Sequence, residues 1–202
     1  MPRIIVHGAI LSLVALALIV IMMWVNSRIW LQDYPWAIQD LVPHKNASER
    51  ALSLILGVPF LILLLAVPFA STLMLKVQSG GAVSFLQLMT NSFGVSFIFN
   101  LVDWLILDWL AFCTLTPGLV VVPGAEWAVG YKDYAFYFRG FLIGTAFSAL
   151  VGAVTAGTTL ILWGAVERFG GTRRIPGRAR IRRSQLRAKR TSLCSNCGLR
   201  AL

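Results

Sequence analysis

Four long apolar runs separate the more polar parts of this chain, at about residues 4–25, 51–75, 85–115 and 136–166. A helix needs about 20 apolar residues to cross roughly 30 Å of hydrocarbon. Membrane β-strands would instead alternate in hydrophobicity over about ten residues. Of the 202 residues, 57% are hydrophobic and 13% are charged, which is too apolar for a soluble domain. The sequence therefore predicts an all-α polytopic membrane protein, with four transmembrane helices within residues 1–168.

Basic residues are concentrated after the fourth run. Eleven of the 18 Lys and Arg residues lie at Arg168 or beyond it, and they supply nearly all of the net charge of +10. By the positive-inside rule this end faces the cytoplasm. An even number of spans then places both termini in the cytoplasm and the connections at about 26–50 and 116–135 outside. We therefore expect a multi-pass protein of the cell membrane.

The segment 169–202 is rich in arginine, poor in large apolar residues and interrupted by Pro176 and Gly177. This composition predicts a disordered cytoplasmic tail that attracts anionic lipid headgroups, at about 1 kcal/mol per charge near the surface. Nucleic acid is not an expected partner, because the tail has neither interleaved aromatic residues nor a folded binding module. Cys194 and Cys197 form one C-x-x-C without the second ligand pair that a zinc site needs, so no metal is expected.

Two aspartates in the third run, Asp103 and Asp108, are the most unusual residues in the apolar sequence. A charged side chain near the bilayer centre costs roughly 2.5 to 3.5 kcal/mol on insertion scales. At 100° per residue the helix has a polar face that includes Asn100 and both aspartates. The opposite side is predicted to face lipid, and it carries Leu88, Val95, Phe99, Val102 and Ile106. The rise of 1.5 Å per residue puts both carboxyls near the outer boundary.

Polar residues that follow the third run are candidates to meet these aspartates. In "GYKDYAFYFRGF", residues 130–141, Arg139 is the cation best placed to pair with Asp103. One interpretation is a structural ion pair between two helices. The other is a polar binding site that opens outward, lined by Asn100, Asp103, Asp108, Tyr131, Lys132 and Arg139.

The first outer connection is unusually apolar, with Trp30, Tyr34 and Trp36 among its residues. It is predicted to lie in the membrane interface. Together with "TPGLVVVPGAEW" it is a candidate lid over the outer end of the bundle, although interfacial anchoring explains the same residues.

The stretches around Asn100 to Asp108 and Gly130 to Gly144 resemble those of an uncharacterised group of small bacterial four-span membrane proteins, which have a "GYKDY" stretch before the last span. The resemblance covers about residues 90–145. It implies a bacterial cytoplasmic membrane location and brings no activity with it.

No catalytic motif or cofactor-binding motif is present in the sequence. His7 and His44 are predicted on opposite sides of the bilayer, which excludes haem ligation by both within one chain. The sequence therefore favours a non-enzymatic membrane module, either a small-solute or lipid-binding protein or an accessory subunit of a larger complex. The alternatives are a membrane enzyme that uses Asp103 and Asp108 as acid and base, and a small ion-coupled carrier that acts as a homo-oligomer.

Overall fold

A computed structural model describes residues 2–170 of the chain. The described residues form helices and loops, without strands. The five α-helices are α1 (Pro2–Val25), α2 (Trp36–Gln39), α3 (Ala47–Gln78), α4 (Phe85–Asp103) and α5 (Tyr134–Gly170). A π-helix, Trp104–Leu115, continues α4, and two 3₁₀ helices, Ser27–Asp33 and Val129–Lys132, lie in the connections. The predicted tail, with Cys194 and Cys197, lies outside the described residues.

Four helices are long and apolar enough to cross a membrane: Arg3–Val25, Ala47–Gln78, Phe85–Leu115 and Tyr134–Arg168. The prediction of four apolar helices is confirmed: the third has the predicted bounds, and the other three extend one to four residues further at one or both ends. Capping side chains mark the starts of α3 and α4. The side chain of Asn46 accepts a hydrogen bond from the backbone N–H of Glu49, and the Glu49 carboxylate accepts one from the backbone N–H of Asn46; Ser84 and Gln87 form the same reciprocal box. Each box satisfies backbone N–H groups that have no partner at a helix start.

The chain divides into two compact units, Met1–Ile161 and Leu162–Leu202. The first unit holds the bundle and its connections. The described part of the second unit is the last section of α5, in which the indole of Trp163 donates a 2.7 Å hydrogen bond to Glu167 one helical turn later.

Helices α1 and α4 run parallel and approach closely at two glycines. A Cβ placed on Gly8 would lie 2.8 Å from Cβ of Ile98, and one placed on Gly94 would lie 2.6 Å from Cγ2 of Ile4. Each helix thus supplies a glycine that accommodates an isoleucine of the other. Small residues of this kind let two backbones pack closely where lipid gives apolar side chains no preference for the protein interior.

A polar network joins α1, α3 and α4 within the bundle. A 2.7 Å hydrogen bond links Nδ1 of His7 with the hydroxyl of Ser71. The side-chain amide of Asn91 donates to Ser71 at 3.0 Å and to Thr72 at 3.2 Å. Because an unpaired polar group costs free energy in an apolar surrounding, these bonds favour one arrangement of the three helices.

Helix α4 is the centre of the bundle, since it contacts α1, α3 and α5. The prediction of a lipid face on α4 is therefore wrong for Leu88 and Val95, both of which are fully buried. Phe99, from the same predicted face, lines an internal cavity, whereas Ile106 is exposed as expected. The error arises because apolarity does not distinguish a lipid-facing position from a buried one in a membrane protein.

The two longer connections, residues 26–46 and 116–133, pack against each other, and we call them the cap. The hydroxyl of Tyr34 donates to the carbonyl of Val120 at 2.8 Å, and the N–H of Val122 donates to the hydroxyl of Tyr131 at 2.8 Å. The rings of Tyr34 and Tyr131 meet edge to face, with centroids 6.0 Å apart. The buried residues of the cap, such as Ile38 and Val122, form one hydrophobic cluster with residues of the bundle such as Ile19 and Phe60.

Candidate functional site

A cavity of about 420 Å³ lies at the end of the bundle that carries the cap. Its polar wall consists of Gln32, Asp33, Asn100, Asp103 and Asp108. Its aromatic wall consists of Trp30, Tyr34, Phe60, Phe99, Trp104, Phe112, Phe136, Tyr137 and Phe141. The remaining lining residues are Ile19, Met23, Leu64, Leu107 and Gly140. Parts of α1, the cap, α3, α4, the π-helix and α5 thus meet around one space.

The π-helix determines the angle around the helix axis that separates Asp103 from Asp108, the two aspartates predicted as site residues. On a continuous α-helix, residues five apart are separated by about 140° around the axis, at 3.6 residues per turn. In the π-helix the N–H of residue i bonds to the carbonyl of residue i−5, and its last bond, from Thr116 N–H to the Ala111 carbonyl, measures 2.8 Å. The wider turn brings positions five apart closer together, and Asp103 and Asp108 both line the cavity.

Three of the six predicted site residues line this cavity, namely Asn100, Asp103 and Asp108. The other three, Tyr131, Lys132 and Arg139, are not among the lining residues. Tyr131 lies behind the wall, where its ring contacts Tyr34. The side chains of Lys132 and Arg139 are exposed.

The expected pair between Asp103 and Arg139 does not form. Among the described residues the ion pair found is that between Arg28 and Glu49, with 2.8 Å from Nε to Oε1. Arg139 lies on the exposed side of α5, whereas the buried Oδ1 of Asp103 has no hydrogen-bond partner. The sequence order placed both residues near the same membrane boundary, but the rotation of α5 about its axis turns them apart.

Asn100 has a structural role beside its place in the wall. Its amide donates to the carbonyl of Phe141 at 3.0 Å and to the hydroxyl of Thr145 at 3.1 Å, so it holds α5 against α4. A Cβ on Gly144 would lie 2.9 Å from Cγ of Asn100, whereas one on Gly140 would meet nothing within 4 Å. The close approach of the two helices therefore requires Gly144, and Gly140 instead borders the cavity.

The third cavity carboxyl, Asp33, was not predicted as a site residue. Although its side chain reaches the surface, protein atoms crowd around the carboxyl, and this burial raises the pKa of Asp33 above its ordinary value. The charge of Lys45 and a 3.4 Å hydrogen bond from Gln32 lower the pKa by smaller amounts. The feature of the sequence that could have identified Asp33 is its position among the aromatic residues Trp30, Tyr34 and Trp36.

Lys45 is the cation that acts on Asp33, but it is engaged elsewhere. Its ammonium donates to the carbonyl of Ile29 at 2.5 Å, to the hydroxyl of Ser53 at 3.1 Å and to the side-chain oxygen of Gln32. Lys45 is not one of the lining residues. It therefore ties the first connection to the start of α3, and within residues 2–170 no ion pair reaches Asp33, Asp103 or Asp108.

Four buried polar atoms of lining residues have no hydrogen-bond partner within the described part of the chain. They are Oδ1 of Asp103, the hydroxyl of Tyr137 and the indole N–H groups of Trp30 and Trp104. Buried polar groups are paired in the great majority of cases, and an unpaired one costs about 1 to 3 kcal/mol. The residues that line the cavity thus include four with a buried polar atom that is unpaired among residues 2–170.

No protein-family model, curated protein or solved structure matches this chain. The function is therefore inferred from the residues that line the cavity.

Proposed function

We propose that this chain is a non-enzymatic integral membrane module that binds a small solute or a lipid in the cavity beneath the cap. One observation carries the proposal: a space of about 420 Å³ lined by nine aromatic residues and five polar ones, Gln32, Asp33, Asn100, Asp103 and Asp108. Sites for small molecules generally measure about 300–1,000 Å³, with mostly apolar walls and a few placed polar groups. The aromatic wall and its few polar groups fit that description.

The membrane setting is part of the proposal. The excess of Lys and Arg after residue 167 favours an orientation with both termini in the cytoplasm, and the cavity then opens on the outer side. A bacterial cell membrane is proposed from the resemblance of residues 90–145 to small bacterial four-span membrane proteins. Exposed Trp36 and Trp127 on the cap are suited to the membrane interface. The tail is proposed to bind anionic headgroups.

A membrane enzyme remains a second candidate because Asp103 and Asp108 line the same cavity, as an acid and base pair requires. The carrier alternative uses the same carboxyls and requires a homo-oligomer. The accessory-subunit alternative places the important contacts on the outside of the bundle. These candidates differ in which molecule should co-purify with the protein. They also differ in whether a substitution that fills the cavity should abolish that co-purification.

Mass spectrometry of molecules that co-purify with the chain in mild detergent tests the proposal. Gly140 borders the cavity, and a side chain there meets no protein atom at its Cβ, so Gly140→Trp should fill the space without unfolding the bundle. Gly157→Trp is the matched control, because Gly157 lies on the same helix, has the same free surroundings and is not a lining residue.

We expect a small molecule or lipid to accompany the wild-type chain and Gly157→Trp and to be absent from Gly140→Trp. An identical set of molecules on all three proteins would contradict the proposal. A stoichiometric partner protein that is retained by all three would support the accessory-subunit alternative instead.

A further inference from the structure

The charge of the cavity wall restricts what can occupy it. Three carboxyl side chains line the space, from Asp33, Asp103 and Asp108, and within the described residues the lining includes no Lys, Arg or His. A carboxylate in an apolar surrounding is costly unless a positive charge or several hydrogen bonds compensate it. The wall is therefore complementary to a positively charged occupant and unfavourable for an anion.

The aromatic residues favour the same sign of charge. The face of an aromatic ring is negative and attracts a cation within about 6 Å of its centroid, most strongly for tryptophan. Neighbouring rings hold the wall in place. Trp30 meets Phe60 at 5.4 Å between centroids, Tyr34 meets Phe112 at 5.2 Å, and Trp104 stacks on Phe141 at 4.6 Å. A rigid wall loses little side-chain freedom when an occupant binds.

Tyr137 gives an independent indication of a ligand. Only 4% of this residue is exposed, it lines the cavity, and its hydroxyl has no hydrogen-bond partner among the described residues. A tyrosine so deeply buried normally finds a partner for its hydroxyl. The unpaired hydroxyl therefore marks this part of the wall as incomplete without a further polar group.

The arrangement of the carboxyls distinguishes an organic cation from a metal ion. No three His, Cys, Asp or Glu side chains in the described part of the chain converge closely enough to hold one metal ion. The three aspartates are thus distributed around the wall of a space far larger than one ion. That distribution suits a head group of several atoms, with an apolar body that fits against the rings.

We propose that the cavity binds an organic cation, namely a protonated amine on an aromatic or aliphatic body, held by Asp33, Asp103 and Asp108 against the aromatic wall. This inference rests on the proposed function, because it names the class of solute that the cavity takes. The groups that bear on the ammonium are the three carboxyls, the hydroxyls of Tyr34 and Tyr137, and the more distant charge of Lys45.

Three probes of similar shape and different charge test the inference: 2-phenylethylammonium, 2-phenylethanol and 3-phenylpropanoate. Binding to the full chain in phosphatidylcholine nanodiscs is measured by titration calorimetry, and the signal from empty nanodiscs is subtracted. We expect the ammonium to bind at least about tenfold more tightly than the alcohol, since hydrogen bonds to charged groups are stronger than neutral ones. The carboxylate should bind more weakly than both.

Asp103→Asn and Asp33→Asn should each weaken ammonium binding by roughly tenfold while binding of the alcohol persists. Asp33 lies in the cap, so its variant provides the test even if Asp103→Asn does not fold. Asp40→Asn is the control, because Asp40 is an exposed acid of the same connection and does not line the cavity.

Equal affinity for the ammonium and the alcohol, unchanged in Asp103→Asn and Asp33→Asn, would overturn the cation inference and leave the small-solute function intact. Absence of binding by all three probes would also overturn the cation inference, whereas the proposed function is decided by the molecules that co-purify with the wild-type chain and Gly140→Trp.

Discussion

At the scale of single residues, the protonation state of Asp33, which lines the cavity, affects the stability of the folded state. Burial raises its pKa, and Lys45 offsets only part of that effect. A carboxyl whose pKa is raised by folding stabilises the folded state below its unfolded pKa of about 3.9, and this stabilisation is lost as the pH rises through the folded pKa. We therefore predict that Asp33→Asn raises the melting temperature in detergent, by an amount that increases from pH 4 towards pH 8.

Asp40→Asn separates this effect from the loss of a negative charge in the same connection, because Asp40, which is exposed as Asp33 is, lies outside the cavity wall. Circular dichroism melts of the wild-type chain and both variants across the pH series give the comparison. A gain for Asp33→Asn that shrinks with rising pH would show that ionised Asp33 is stabilised by folding and would contradict the prediction.

Sequence reasoning identified Asp103 and Asp108 because a carboxyl within an apolar run is costly wherever it lies. It did not identify Asp33, since an acid in a connection outside the apolar runs costs little until the connection folds over the bundle. It also selected Arg139 on depth alone. Depth follows from counting residues, whereas the direction of a side chain depends on how each helix is rotated, and that is determined by packing.

At the scale of helices, the two glycines between α1 and α4 determine how closely those helices pack. We predict that Gly94→Ala destabilises the chain by about 1–3 kcal/mol, the usual cost of overpacking. Its Cβ would lie 2.6 Å from Cγ2 of Ile4, and a β-branched side chain has little freedom to move away. Thermal unfolding in detergent measures the effect.

Two further variants make this prediction specific. Gly57→Ala, on α3, meets nothing within 4 Å, so it should be neutral or stabilising by up to about 1 kcal/mol from helix propensity. In Gly94→Ala/Ile4→Ala the nearest remaining contact, to Cβ of Ile4, would be 3.8 Å. The double variant should therefore lose less stability than the two single changes together; simple additivity would argue against the packing explanation.

The number, length and order of the long helices were predictable, because each must present about 20 apolar residues to the membrane. The π-helix was not, since its sequence, "WLILDWLAFCTL", has the composition of an ordinary apolar helix. The lipid-facing side of α4 was also mispredicted, because Leu88 and Val95 are buried. Lipid and protein interior are equally apolar, so the pattern that locates the core of a soluble helix is weak here.

At the scale of the whole molecule, the distribution of charge predicts how the protein lies in the membrane. Arg3 and Lys76 lie at the start of the first helix and at the end of α3, and eleven of the 18 Lys and Arg residues lie from Arg168 onwards in the sequence, whereas the connection of residues 26–46 balances acids and bases. Because Lys and Arg resist translocation, the end with Ser79 should face the cytoplasm. The cap and the cavity should then face the outside.

Labelling of single cysteines in intact bacterial cells tests this orientation. Cys113, Cys194 and Cys197 are first replaced by alanine, and Asp40→Cys and Ser79→Cys are then introduced separately, since both positions are exposed and lie at opposite ends of α3. A membrane-impermeant maleimide should label Asp40→Cys in intact cells and Ser79→Cys only after permeabilisation. The reverse pattern would place the cavity on the cytoplasmic side, and labelling of both positions in intact cells would contradict a single orientation across the membrane.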